Sequence, residues 1–194
     1  MAWEYDNRLV RREASLRQAG FEPYCLFTQS GSEIRLAKQL NHLNESCLAV
    51  PFLRMKRAGA ARSSILVQEA LLKGYIFLFV PCGYPLHELK RGEVMFRILD
   101  RKENGGLLTG EDRDYAEWIL RHGGLLPASE AIELNGRVRI ISGPLLDLQG
   151  KVVGFSRRGK NYRIEFEMMG HRINTWLPFE FIEPAGEMRE ADHI

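Results

Sequence analysis

Near the end of the chain, Lys151, Arg157, Arg158, Lys160 and Arg163 flank Tyr162. Cations hold phosphates and a ring stacks a base, so this is the composition of an RNA-contacting surface. Solubility also favours Arg and Lys at a hairpin tip, and both readings stand at this point. Neutralising about four phosphates on a single strand would give a log–log salt slope of about −3. Other chemistry-bearing residue types are scattered. The histidines at 42, 87, 122, 171 and 193 fall on different segments, and none has metal-ligand spacing with another or accompanies a cysteine. Ser63-Ser64 lacks the context of a nucleophile elbow, and Gly105-Gly106 and Gly123-Gly124 lack the Lys-Ser or Lys-Thr of a phosphate loop. The expectation is a protein that is not an enzyme and carries no metal or cofactor.

The bulk composition leaves the partner open. Lys and Arg total 27 against 25 acidic residues, so the net charge of +2 is too small to identify a nucleic-acid binder. Cys25, Cys47 and Cys82 are far apart and odd in number, which points to buried thiols in a reducing compartment rather than a disulfide framework. Charged residues interrupt any signal-peptide core over the first 13 positions, and the apolar stretch 75–80 is too short to span a bilayer. A cytoplasmic monomer is expected.

The elements that must position these residues follow from the pattern. Residues 1–21 are charged and weakly amphipathic, a loose helix or irregular extension closed by Gly20 and Pro23. A strand at 24–27 leads through 30–33 into a helix, with Ser30 or Ser32 as cap, Glu33 at its positive end, and Ile34, Ala37, Leu40 and Leu43 inward. Residues 47–53 read as one strand, and a basic hairpin follows from Arg54 through Gly59 to Arg62. The run 71–80 is apolar on both faces, a central strand covered on each side. A short helix at 85–90, a strand at 95–99, a polar loop at 101–106, and a helix carrying Tyr115, Trp118 and Ile119 complete this part. Residues 123–133 read as a flexible link. From Leu134 the chain is all strand and turn. Tyr162, Ile164, Phe166 and Met168 alternate with Arg163, Glu165 and Glu167, and so many short strands predict a small closed barrel.

Gly136-Arg137-Val138-Arg139-Ile140, Gly143-Pro144 and Gly150-Lys151-Val152-Val153 resemble a KOW motif, and Gly170-His171-Arg172 through Leu177 to Ile182-Glu183 resembles the end of the KOW domain of bacterial NusG proteins. Upstream, Phe27-Thr28-Gln29-Ser30-Gly31-Ser32-Glu33, Val50-Pro51 and Leu71-Leu72-Lys73-Gly74-Tyr75-Ile76-Phe77-Leu78 are similar to the NusG N-terminal domain in the same order. Lys73 stands where that family usually has proline, and the loop 100–107 departs from the usual glycine-rich one. The arginine-rich hairpin tip and Trp176-Leu177 resemble the specialised LoaP branch, whose members are implied to be antiterminators at selected operons.

The resemblance implies an α+β protein: a NusG-type N-terminal α/β sandwich with an antiparallel sheet at 22–122, and a KOW SH3-like β-barrel at 134–184. An extension (1–21), a linker (123–133) and a tail (185–194) complete the chain. The N-terminal unit is implied to dock on the clamp coiled coil of RNA polymerase. Tyr75, Leu72, Phe52 and Phe77 are the candidates for that contact, with Phe79 behind them, because docking on a helix needs an exposed apolar and aromatic patch. Gln29, Arg35 and Lys38 are implied to face single-stranded non-template DNA. The composition around Tyr162 would let the barrel meet nascent RNA through its cations, and the resemblance implies instead a ribosomal protein or termination factor held through Phe155, Ile164 and Phe179. The alternatives are a general NusG coupling polymerase to ribosome or termination factor, and a ribosome-associated KOW structural protein.

Overall fold

The computed structural model describes residues 2–59, 65–99, 105–134, 136–148, 151–168 and 170–182. Parts of the expected hairpin tip (60–62) and of the polar loop (101–104), the turn at Gly150 and the tail 185–194 lie outside the described residues. The fold is mixed α+β, built on three sheets and one connected apolar core.

The first segment is more ordered than its sequence suggests. Helix α1 spans Asn7–Ala19, its amino end capped by Asp6, whose carboxylate accepts from the amides of Arg8 and Leu9 at 2.9 and 3.0 Å. Leu9 and Leu16 face the core together with Trp3, whose indole donates to the Gly123 carbonyl at 2.7 Å. Arg12 donates to the carbonyls of Asn41, Asn44 and Cys47 at 2.9, 3.1 and 2.8 Å. These cluster at the carboxyl end of the next helix, where orphan carbonyls and the helix dipole favour a cation. The expected loose extension is thus an integral helix.

Strand β1 (Phe21–Thr28), helix α2 (Glu33–Leu43), β2 (Leu48–Pro51), β3 (Leu53–Ala58), β4 (Ile65–Ala70) and β5 (Tyr75–Pro81) follow. After a 3-10 turn (Leu86–Glu88) come β6 (Phe96–Ile98) and helix α3 (Gly110–Arg121). The main sheet has the order β2-β5-β1-β6, all antiparallel. β5 is internal and Ile76 through Val80 are completely buried, the two-sided burial its sequence predicts. Neither Ser30 nor Ser32 caps α2 through its side chain. Glu33 instead turns inward and accepts from the Gly74 amide at 2.6 Å, tying the helix to the turn before β5. That turn requires glycine: φ at Gly74 is +84°, and a Cβ there would lie 2.8 Å from the Thr28 carbonyl oxygen.

The expected single strand at 47–53 breaks at Phe52, whose ring is fully buried against Phe77. The chain then changes sheets, and the expected basic hairpin is a paired ribbon, β3 with β4, from Leu53↔Ala70 to Ala58↔Ile65. The expected flexible link at 123–133 is also built into sheets. β7 (Leu125–Leu126) pairs parallel with β3, and β8 (Ser129–Leu134) pairs with the strands of the last module.

That module contains β9 (Arg137–Ser142), a helical turn α4 (Pro144–Asp147), β10 (Val152–Ser156), β11 (Asn161–Met168) and β12 (His171–Phe181). Its five strands run β10-β11-β12-β8-β9 in one curled half-barrel sheet. In place of the expected closed barrel, β9 and β10 end the sheet among the described residues without pairing to each other. Ile164, Phe166 and Met168 are buried, as the period-two pattern requires. No described helix is long and apolar enough to cross a membrane.

The half-barrel sits on the rest of the chain through named contacts. Phe166 packs against Tyr115 and Trp118 of α3, with centroids 4.9 and 6.4 Å away. The Trp118 indole donates to Asp147 at 2.9 Å. Arg54 of β3 pairs with Glu69 at 2.7 Å and also donates to the Trp176 carbonyl at 2.6 Å and to the Thr175 hydroxyl.

Candidate functional site

Tyr75 begins β5 immediately after the Gly74 turn, and this location leaves it half-buried rather than sealed in the core. Its ring meets Phe27 edge-on at 5.3 Å, and Arg97 lies over the Phe27 ring at 5.1 Å. The Tyr75 hydroxyl is 2.7 Å from His171 Nε2, across to the half-barrel. Burial raises the pKa of the phenol, so it stays protonated and the hydroxyl can donate to the imidazole. Leu72 precedes the same turn, half-buried, with its carbonyl accepting from the Tyr75 amide at 3.3 Å. Met95 beside the short edge strand β6 is 77% exposed. Tyr, Met and Arg are enriched at protein interfaces, and here they share one rim with Leu72 and Phe27.

Three of the expected docking residues are excluded. Phe52 and Phe77 have no exposed surface and pack on each other at 5.8 Å, and Phe79 is equally buried against Phe21. A ring with no accessible area cannot contribute to an interface without unfolding the core. Met95 and Arg97 were not singled out from sequence. Nothing in their local pattern separates them from an ordinary edge strand; only the pairing of β6 with β1 brings them beside Phe27.

Gln29, in the loop before α2, and Arg35 and Lys38 in its first two turns are all exposed. Arg35 and Lys38 lie three residues apart on one helix face. The Lys38 amine donates to the Ala2 carbonyl at 2.9 Å, so part of its hydrogen-bonding capacity is used within the chain.

The expected cation cluster of the half-barrel divides. Arg157 forms an ion pair with Glu133 and donates to the Gly136 carbonyl at 3.4 Å. Burial raises the pKa of Tyr115, and Lys151, which lies at its hydroxyl, opposes that rise. Arg163 points to the opposite face from Tyr162 and lies 5.9 Å over Trp176. Arg158 and Lys160 remain at the turn, exposed; Lys160 adopts a left-handed backbone (φ +49°) and lies 5.8 Å from the Phe181 ring. Tyr162 is half-buried between Phe155 and Phe179 at 4.8 and 5.4 Å.

Of the residues expected to hold a protein partner, Ile164 and Phe179 are fully buried and form the concave core of the sheet. This corrects their assignment. Phe155, on the edge strand β10, is 46% exposed and keeps the role open to it. Among the described residues, no group of three or more His, Cys, Asp or Glu side chains is gathered to hold a metal ion. Compared with known proteins, the chain matches no family model and no curated sequence.

Proposed function

We propose that this chain binds bacterial RNA polymerase and modulates pausing and termination, acting as a processive antiterminator of the LoaP-like branch of the NusG family at selected operons. The observation that carries the reading is the rim formed by Tyr75, Leu72, Phe27, Met95 and Arg97. It lies where the NusG resemblance assigns polymerase docking, and its composition suits the side of a helix. An antiparallel sheet with packed helices, followed in the chain by a curled five-stranded sheet, agrees with the domain order of that family. The exposed Gln29 and Arg35 then face the displaced DNA strand, and the half-barrel meets RNA or a protein through Arg158, Lys160 and Phe155.

The functional test is single-round transcription with purified bacterial polymerase over a template carrying pauses and an intrinsic terminator. The reading predicts altered pause lifetimes and increased read-through with the wild-type chain, both lost in Tyr75→Ala plus Leu72→Ala. Transcription indifferent to the wild-type chain at saturating concentration would contradict it.

A further inference from the structure

β9 and β10 end the five-stranded sheet, and each pairs on one side only among the described residues. An unpaired edge presents a row of backbone donors and acceptors at the spacing of a strand. The two edges are drawn toward each other at one end. Arg157, in the turn between β10 and β11, reaches Glu133 on β8 and the Gly136 carbonyl between β8 and β9. They do not close, and an open cavity of about 560 Å³ remains between them. Its lining includes Arg137, Val138, Arg139 and Ile140 from β9, Leu146 from α4 and Val152 from β10. Leu146 and Val152 are 44% and 37% exposed. Arg137 and Arg139 are exposed and have no ion pair among the described residues.

We propose that this slot binds an extended peptide segment, added as a strand to the β9 edge, in which acidic and aliphatic side chains alternate. β9 itself alternates arginine and aliphatic residues over 137–140. Residues directly opposite across a strand pair share a face, so an added strand places one carboxylate against each arginine and one aliphatic side chain against Val138 and Ile140. Charge complementarity disfavours a second copy of the same edge, because antiparallel self-pairing of β9 sets arginine against arginine or, one residue out of step, arginine against an aliphatic side chain. The lining also favours peptide over RNA. Apart from Arg137 and Arg139 its walls are aliphatic, and Tyr162, the aromatic residue that reaches it, is half-buried in tilted contacts with Phe155 and Phe179, which limits the ring face left for a base. The inference stands apart from the polymerase reading, since none of these residues belongs to the Tyr75 rim.

The test uses the full chain and a fluorescein-labelled peptide, acetyl-Glu-Val-Glu-Val-Glu-Val-amide, with a Lys-for-Glu version as control and a labelled 12-nucleotide oligouridine as the nucleic-acid arm. Fluorescence anisotropy should show saturable binding of the acidic peptide alone. R137E with R139E should weaken it about tenfold, and R137K with R139K should hold it within about twofold. Val152→Lys, which blocks the slot without touching the arginines, should abolish it. These positions are exposed, and circular dichroism of each variant is the control for folding. Absence of saturation up to millimolar peptide overturns the proposal. So does oligouridine binding that the charge-reversed variant loses while the peptide does not bind, or a dimer of the chain that the same variant dissolves.

Discussion

Replacing Arg54 with alanine should loosen the half-barrel from the rest of the chain. Arg54 is anchored on β3 by Glu69, and from there it donates to the Trp176 carbonyl and the Thr175 hydroxyl. Its side chain is 14% exposed; the bond to Thr175 is part-buried and the bond to the Trp176 carbonyl is open to solvent. A hydrogen bond from a charged donor contributes about 1.5–3 kcal/mol, but both acceptors regain water when the half-barrel swings away. The net loss for the pair is then about 1–3 kcal/mol, a shift of about 5- to 150-fold in the docking equilibrium. Arg54→Lys should recover only part of it, because an ammonium cannot hold Glu69 and two further acceptors with a planar fork. Glu69→Gln, which keeps the bonds to Thr175 and Trp176, should cost less than Arg54→Ala. Cys82 is exposed while Cys25 and Cys47 are buried, so a dye on Cys82 and a second on Val153→Cys, an exposed site on β10, would report the separation by energy transfer. The expected result is a second, lower-transfer population that grows in Arg54→Ala. An unchanged distribution in a folded variant would refute the assignment of Arg54 as the clasp.

The other contacts give further predictions. Asn41 is buried and pairs by its amide with both the N–H and C=O of Ala49 at 2.7 Å, so Asn41→Ala leaves two buried backbone groups unpaired and should cost about 2–5 kcal/mol in urea unfolding. Arg12→Ala removes its bonds to the carbonyls of Asn41, Asn44 and Cys47, of which that of Asn44 also accepts from the Cys47 amide, and should cost about 1–3 kcal/mol by the same measurement. Burial lowers the pKa of His122 against the opposing pull of Asp147. The unfolded imidazole therefore takes up its proton first as pH falls, and stability present above about pH 6.5 should decline on acidification through that range, a decline that His122→Phe should reduce in a pH series of melting temperatures. With Arg157 and Lys151 engaged and Arg163 on the far face, RNA bound at the Arg158–Lys160 turn should show a log–log salt slope of about −1.4, half the steepness the sequence suggests. A slope near the larger value would mean that the internal pairs open on binding.

What the sequence reveals depends on the range of the interactions. The alternation over 162–168 and the apolar run at 76–80 are local signals, and both become the strands they predict. Phe52 and Phe77 look like docking residues until the change of sheets at Phe52 presses their rings together, a relation between positions 25 residues apart. Residues 1–21 look untidy because what orders them is distant: Trp3 to Gly123, Arg12 to the end of α2, and Trp3 to Gln68 at 2.7 Å. The stretch 123–133 reads as a connector because its glycines and proline are visible locally, whereas its parallel pairings with β3 and β12 are not. The cation cluster around Tyr162 is real in sequence, but strand alternation and the partners Glu133 and Tyr115 disperse it. The half-buried position of Tyr75 was legible because the residue directly follows a turn glycine at the head of the buried strand.

The most direct test of the central claim is retention of purified bacterial RNA polymerase by the immobilised chain, comparing wild type, Tyr75→Ala plus Leu72→Ala, and Phe155→Ala. The account predicts that wild type and Phe155→Ala hold the polymerase and that the double variant, shown to be folded by circular dichroism, releases it. Failure of wild type to retain polymerase, or equal retention by the double variant, would contradict it.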